Sequence, residues 1–216
     1  MFSRNELVFF AAIVLFAVAV SVVAFATSSG DPLILSIRLL ALNGYIALAV
    51  AAIMDPFIKQ LTLLFKQPFL KIHHYFAAAG LVLITLHPIM VAIQTMYPTI
   101  LLPNVQSVYL FFVYGGSVAL IVLYVAFAGV LVRRKIVAYW RPVHMLMYLA
   151  LFFGVVHANL LGQDLNGNLA IRIVYDALFA AVVFAFVLKR WQFYKIRQRM
   201  KDYARKKQQA NASAHS

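Results

Sequence analysis

The sequence predicts an all-α integral membrane protein, a bundle of six transmembrane helices with both termini on the cytoplasmic side. Of the 216 side chains 64% are hydrophobic and only 12% are charged. That is about half the charged share of a soluble domain, too little to cover a globule. Six apolar stretches recur, each near the length of about 20 residues that crosses a bilayer core as a helix, where barrel strands would alternate over about 10. When the stretches are threaded in turn, 17 of the 19 Lys and Arg residues fall on one side, which marks that side as cytoplasmic. The net charge of +13 therefore reads as topology and attraction to anionic lipid, with a docking surface for an acidic redox partner as the sharper reading. No nucleic-acid partner is expected. Cysteine is absent, which removes disulfides, thiolate chemistry, iron–sulfur clusters and Cys-based zinc sites.

The first stretch, residues 8–26, follows Arg4. It is too long for a signal-peptide core, and no small-residue cleavage site precedes Asp31-Pro32. The second, residues 33–54, carries Arg38 near its outer end, with Asp31 and Asp55 beside prolines as caps. Lys59, Lys66 and Lys71 make the next linker cytoplasmic. The third, residues 69–93, holds His73, His74, His87 and Pro88. An uncharged loop, 94–107, leads to the fourth, residues 108–132. Arg133, Arg134, Lys135 and Arg141 precede the fifth, residues 143–161, which carries His144 and His157 with Phe152 and Phe153 between them. The sixth, residues 170–188, begins with Arg172 and Asp176, four apart on one helix face. Residues 1–190 thus form the membrane domain. Residues 191–216 form a basic cytoplasmic tail that continues the sixth helix as an amphipathic interfacial stretch, with Trp191, Phe193, Tyr194 and Tyr203 among the bases, before a polar disordered end that includes His215.

Ionisable groups at membrane depth are costly and usually functional. A lone histidine there can simply hydrogen-bond a neighbouring helix, but here two segments each carry a widely spaced pair. His87 lies 14 residues beyond His73, about 21 Å along a helix at 1.5 Å per residue. His157 lies 13 beyond His144, about 20 Å by the same rise. Both helices run outward, so each offers one inner and one outer imidazole at matched depths. Two imidazoles facing across a bundle can ligate one haem iron axially, and two such pairs make two b haems, one near each membrane face. At the 3.5 residues per turn of a left-handed bundle, His73 and His87 share a face and His74 rotates off it. His144 and His157 diverge by about 140° on an ideal helix, and the spacing leaves that open. Arg38 or Arg172 can meet a haem propionate, since guanidinium binds carboxylate bidentately.

The run Trp140-Arg141-Pro142-Val143-His144, then Tyr148-Leu149 and His157, together with His73, Ala77 and His87, resembles the ferric reductase-like transmembrane domains. That family includes ferric reductases, the membrane half of NADPH oxidases and the MsrQ haem subunits. The resemblance spans about residues 35–190. It implies six helices, with b-haem ligands on the third and fifth: His73 and His144 for the inner haem, His87 and His157 for the outer. Met145 stands where a basic residue often follows the fifth-helix ligand. His73 itself departs from MsrQ-like members, which often lack an inner histidine on the third helix.

Beyond Leu188 only 28 residues remain, with no flavin barrel and no Gly-rich dinucleotide fingerprint. The expected function is therefore a di-haem b-type cytochrome of the prokaryotic plasma membrane, an oxidoreductase component without its own flavin or NAD(P)H domain. Electrons would come from a separate flavoprotein, a flavodoxin-like protein or quinol, and pass to an outer-side acceptor such as ferric iron or a periplasmic partner. The first rival is a haem-bearing, quinone-reactive anchor subunit of a larger complex. The second is a haem-free transporter using the histidines as proton relays, which the missing inverted repeat and the paired depths disfavour.

Overall fold

The computed structural model describes residues 4–27 and 30–214, and among them every regular element is helical. The α-helices are α1 (Arg4–Ala26), α2 (Pro32–Ile53), α3 (Ile58–Phe65), α4 (Phe69–Thr95), α5 (Val108–Val113), α6 (Gly115–Leu131), α7 (Trp140–His144), α8 (Leu146–Leu161), α9 (Gln163–Gly167) and α10 (Leu169–Ala214). Short 3₁₀ turns at Asp55–Phe57 and Pro98–Leu101 connect them. Among the described residues five helical runs are long and apolar enough to cross a membrane: Arg4–Ala26, Pro32–Phe65, Phe69–Thr95, Trp140–Leu161 and Leu169–Lys206.

The expected fourth span is not one helix. It breaks at Tyr114 into α5 and the 17-residue α6. The Gly115-Gly116 pair that follows has little preference for continuing a helix. At the break the Ser117 hydroxyl caps the Tyr114 carbonyl at 2.9 Å. The fifth span is likewise divided, at Met145. The expected disordered end is also revised: α10 stays helical through Ala214, in keeping with the Lys, Arg, Gln and Ala that fill its last turns, all good helix formers. His215 lies outside the described residues.

The centre of the bundle is α2, whose residues from Gly44 to Ala51 are buried without interruption. A helix apolar all round belongs in a core. Asp31 starts it, its carboxylate accepting from the backbone N–H of Leu33 and Ile34 as a cap with Pro32 at the first position. α4 packs antiparallel on α2 at close range. A Cβ on Gly44 would sit 3.0 Å from the Ile84 nitrogen, and one on Gly80 would sit 2.9 Å from the Leu48 nitrogen. Small residues in this reciprocal register let two membrane helices bring their backbones together. Large apolar side chains on the outer helices, such as Leu15, Phe25, Val82 and Phe184, are exposed. That extent of apolar surface suits a lipid surround.

Two ion pairs tie down the ends of α2. Arg38 on α2 pairs with the buried Asp164 of α9 and also donates to the Ala24 carbonyl of α1 at 3.1 Å. Lys189 on α10 pairs with Asp55, just past the other end of α2, at 3.4 Å.

Candidate functional site

Four of the six histidines are half-buried on α4, α7 and α8, and the fold groups them as two pairs. The first pair lies near the Ala51 end of α2. His73 turns inward, and its Nδ1 donates to the Ala51 carbonyl at 3.2 Å. Ala51 falls in the last turn of α2, where carbonyls have no partner within the helix, so the imidazole satisfies a group that needs one. The rings of His73 and His144 lie 6.4 Å apart, centroid to centroid, and nearly perpendicular at 76°. That separation leaves room for one metal atom bonded to both rings at the roughly 2 Å usual for imidazole nitrogen. The Nδ1 of His144 is buried, with the Ala126 backbone beside it but at a poorer geometry than the Ala51 contact of His73. His74 is exposed, with its ring 6.0 Å from that of His73, centroid to centroid.

The second pair lies at the Arg38 end. The Nδ1 of His87 donates to the Ile37 carbonyl at 3.0 Å, and that of His157 to the Val113 carbonyl at 2.6 Å. Val113 is the last residue of α5, so the break at Tyr114 is what frees its carbonyl for His157. Both imidazoles line one cavity of about 390 Å³ between α2, α4, α6 and α8, within the usual range of ligand pockets. Gly116 borders it. A Cβ there would stand 3.0 Å from Cδ2 and Nε2 of the His157 ring, so only glycine leaves that edge of the imidazole open.

A backbone carbonyl only accepts, so Nδ1 carries the hydrogen in His73, His87 and His157, and each Nε2 keeps its lone pair. That is the usual tautomer of a metal-bound histidine whose ring is oriented by a second partner. The two anchoring carbonyls on α2, Ile37 and Ala51, are themselves 14 residues apart. α2 therefore repeats the spacing of the two histidines it holds on α4.

The turn at Met145 bears on the 13-residue spacing. The Tyr148 N–H bonds the Met145 carbonyl three residues back at 3.1 Å, whereas Met145 itself keeps the usual four-residue bond to Arg141 at 3.0 Å. A tightened turn advances about 120° per residue where an α-helix advances about 100°, so three such residues take up about 60° of the 140° divergence. The tightened turn thus narrows, without closing, the rotation between His144 and His157.

The two arginines separate. Arg38 lines the cavity, but its guanidinium is engaged by both carboxylate oxygens of Asp164, Nε donating at 2.9 Å. Arg172 does not line the cavity. It stands 3.9 Å from Asp176, with both side chains half-exposed. Phe153 stacks on Phe112 at 5.9 Å and Phe152 meets Phe179 at 6.1 Å, so these rings knit α5, α8 and α10 together as packing. Residues outside the sequence expectation also shape the site: Asp164, Gly116 and the buried Tyr45 and Tyr175. The acid near the end of the fifth span and the glycine pair in the fourth were readable signals. The carbonyl partners were not, because every residue has one.

The donor chemistry fits the haem implied by the family resemblance. Among the described residues no group of three or more His, Asp or Glu gathers as a cage. Two opposed neutral imidazoles suit a metal whose remaining positions are filled by its own macrocycle. Compared with protein-family models, with curated proteins and with solved structures, the chain matches none.

Proposed function

We propose that the protein is a di-haem b-type membrane cytochrome of the ferric reductase-like kind. It carries electrons from a cytoplasmic flavin-type donor, or from quinol, to an acceptor on the outer side such as ferric iron or a periplasmic partner. In this reading the chain crosses the plasma membrane six times, α5 and α6 together forming the fourth crossing, and both termini are cytoplasmic. His73 and His144 hold the inner haem, and His87 and His157 the outer one. The observation that supports this most is the shared register of α2 and α4: carbonyls 14 residues apart fixing imidazoles 14 residues apart, each with Nε2 left to bind.

Bound there, haem would supply reversible one-electron redox chemistry through its iron. The chain's own part is positional. The carbonyls of Ile37, Ala51 and Val113 fix tautomer and ring azimuth. The apolar walls, with Leu48, Ile84, Leu123 and Leu151 among them, keep water out and the dielectric low. The Arg38–Asp164 pair closes the outer end with no net charge.

The test is a reduced-minus-oxidised optical spectrum with a haem-to-protein ratio. Two b haems per chain are expected. His87→Ala or His157→Ala should leave only the inner haem, His73→Ala or His144→Ala only the outer, and His74→Ala both. A colourless protein, or a His157→Ala variant that keeps two haems with unchanged spectra, refutes the reading. A haem-bearing anchor subunit of a larger complex shares these ligands and is favoured by one feature, the length of α10 beyond its apolar part. Stable copurifying subunits would select it.

A further inference from the structure

α10 runs unbroken for 46 residues from Leu169 to Ala214. At 1.5 Å per residue that is about 69 Å, more than twice the roughly 30 Å of a bilayer core. Its hydrogen bonds to the 3₁₀ turn after α2 come from Lys189, to the Asp55 carbonyl at 3.0 Å, and from Gln192, to the Pro56 carbonyl at 3.3 Å. Lys189, Arg190, Trp191 and Tyr194 have the composition of a membrane boundary, where bases snorkel and aromatic rings sit at headgroup level.

Past that boundary the helix is exposed on nearly all sides through Lys206, yet it is not polar on all sides. Phe193, Ile196, Met200 and Tyr203 recur at spacings of three, four and three, which places them on one stripe. They are 46%, 56%, 65% and 67% exposed. At about 100° per residue, Arg197 and Lys201 flank the stripe on one side and Arg199 and Lys206 on the other, while Asp202 lies on the opposite face.

Three occupants are conceivable, and helix geometry with charge separates them. The sequence expectation was a stretch lying in the lipid interface. An unbroken continuation of a membrane span does not turn to lie flat. Met200 and Tyr203 stand about 9 and 14 Å beyond Tyr194 along the axis, past a headgroup layer of about 5–8 Å. A second copy in parallel would bring together two tails that each carry nine Lys or Arg and one Asp between residues 189 and 207, and like charges across such a seam oppose pairing. Carboxylates around an apolar centre match both features at once.

We propose that this stripe, with Arg197, Arg199, Lys201 and Lys206, is the docking surface for an acidic soluble electron-donor protein. The proposal rests on the cytochrome reading and names the partner that reading requires. Flanking charge governs encounter and its salt dependence, and the apolar stripe governs how long the complex lasts.

The chain has no cysteine, so a nitroxide placed on Met200→Cys is the single label in the full-length protein. Reconstituted in lipid nanodiscs of neutral or of anionic composition, the label should be open to water in both. Purified acidic flavodoxin should immobilise it, with affinity falling about tenfold between low and high salt. The pair Ile196→Ser and Tyr203→Ser should speed dissociation about tenfold with little change in association rate, while Arg197→Gln with Lys201→Gln should do the reverse. A label buried in lipid overturns the proposal in favour of the membrane surface. Spin–spin coupling between copies overturns it in favour of self-association. A water-exposed label indifferent to flavodoxin overturns it outright. The haem spectrum of the same preparation is read separately: a haem-free chain that still binds flavodoxin refutes the cytochrome reading and keeps the dock, and a haem-loaded chain that ignores it does the opposite.

Discussion

A neutral imidazole has one hydrogen to give and one lone pair to lend, and a backbone carbonyl takes only the hydrogen. Ala51, Ile37 and Val113 therefore decide which nitrogen of His73, His87 and His157 faces the bundle. At this scale Gly116 is the most exposed to test. Gly116→Val would drive a side chain into the His157 ring, whose Cδ2 and Nε2 are 3.0 Å from the missing Cβ. Gly116→Val should lose the outer haem while keeping the inner, read as a halved haem-to-protein ratio with the remaining bands unshifted. Unchanged stoichiometry would show that the ring has somewhere else to go. The histidines themselves were legible in the sequence because ionisable groups are scarce at membrane depth, so each is conspicuous. The preference for His73 over His74 comes from helix rotation; in the structure His73 is half-buried and bonded to the Ala51 carbonyl, while His74 is exposed. The Gly115-Gly116 pair was readable as a break in an apolar run, but the ring that Gly116 faces was not, since that shows only when the neighbour is placed.

At the scale of elements, α2 and α4 act as one unit. Their close approach depends on Gly44 and Gly80, and a Cβ on Gly80 would meet Leu48 Cγ at 2.6 Å as well as backbone. Gly80→Leu should push the helices apart at a cost of about 1–3 kcal/mol or more, the usual range for overpacking. Because both α4 histidines lean on α2, it should loosen both sites at once, seen as a lower melting temperature in detergent and weaker retention of both haems. Loss of one haem alone would contradict the rigid-pair picture. Element boundaries were only partly readable. Hydropathy marks 108–132 as one apolar stretch, because the average hardly changes at Gly115-Gly116 while the backbone breaks there. Part of the rotation mismatch between His144 and His157 has the same origin: a period assumes constant winding, and the turn at Met145 winds more tightly.

At the scale of the whole molecule, the exposed apolar girdle and the buried polar ties follow the rule for lipid-embedded bundles, in which polar groups find one another inside. The Arg38–Asp164 pair joins α1, α2 and α9, with side chains only 11% and 6% exposed. Asp164→Ala would strand a buried guanidinium and should cost about 3–5 kcal/mol, whereas Arg38→Leu with Asp164→Leu should recover most of it. Thermal unfolding of the two variants side by side checks this, and equal stability of Asp164→Ala and the parent would show that the pair is dispensable. Sequence alone offers Arg38, like Arg172, as a cation able to meet a ligand carboxylate. The partner proved to be Asp164, 126 residues away, a separation that no local pattern reports.

The carbonyl register on α2 also bears on how such a protein is made. Chains emerge from the ribosome N-terminus first, and their early segments assemble first. Thr95 closes α4, and by then Ile37, Ala51, His73 and His87 have all been synthesised. If α2 and α4 pair as they emerge, one imidazole for each site would be oriented against α2 before His144 and His157 exist. The later helices α7 and α8 need only swing two more rings against a prepared wall. On the cytochrome reading, a haem held between the two members of each pair would be captured last, once α7 and α8 are in place.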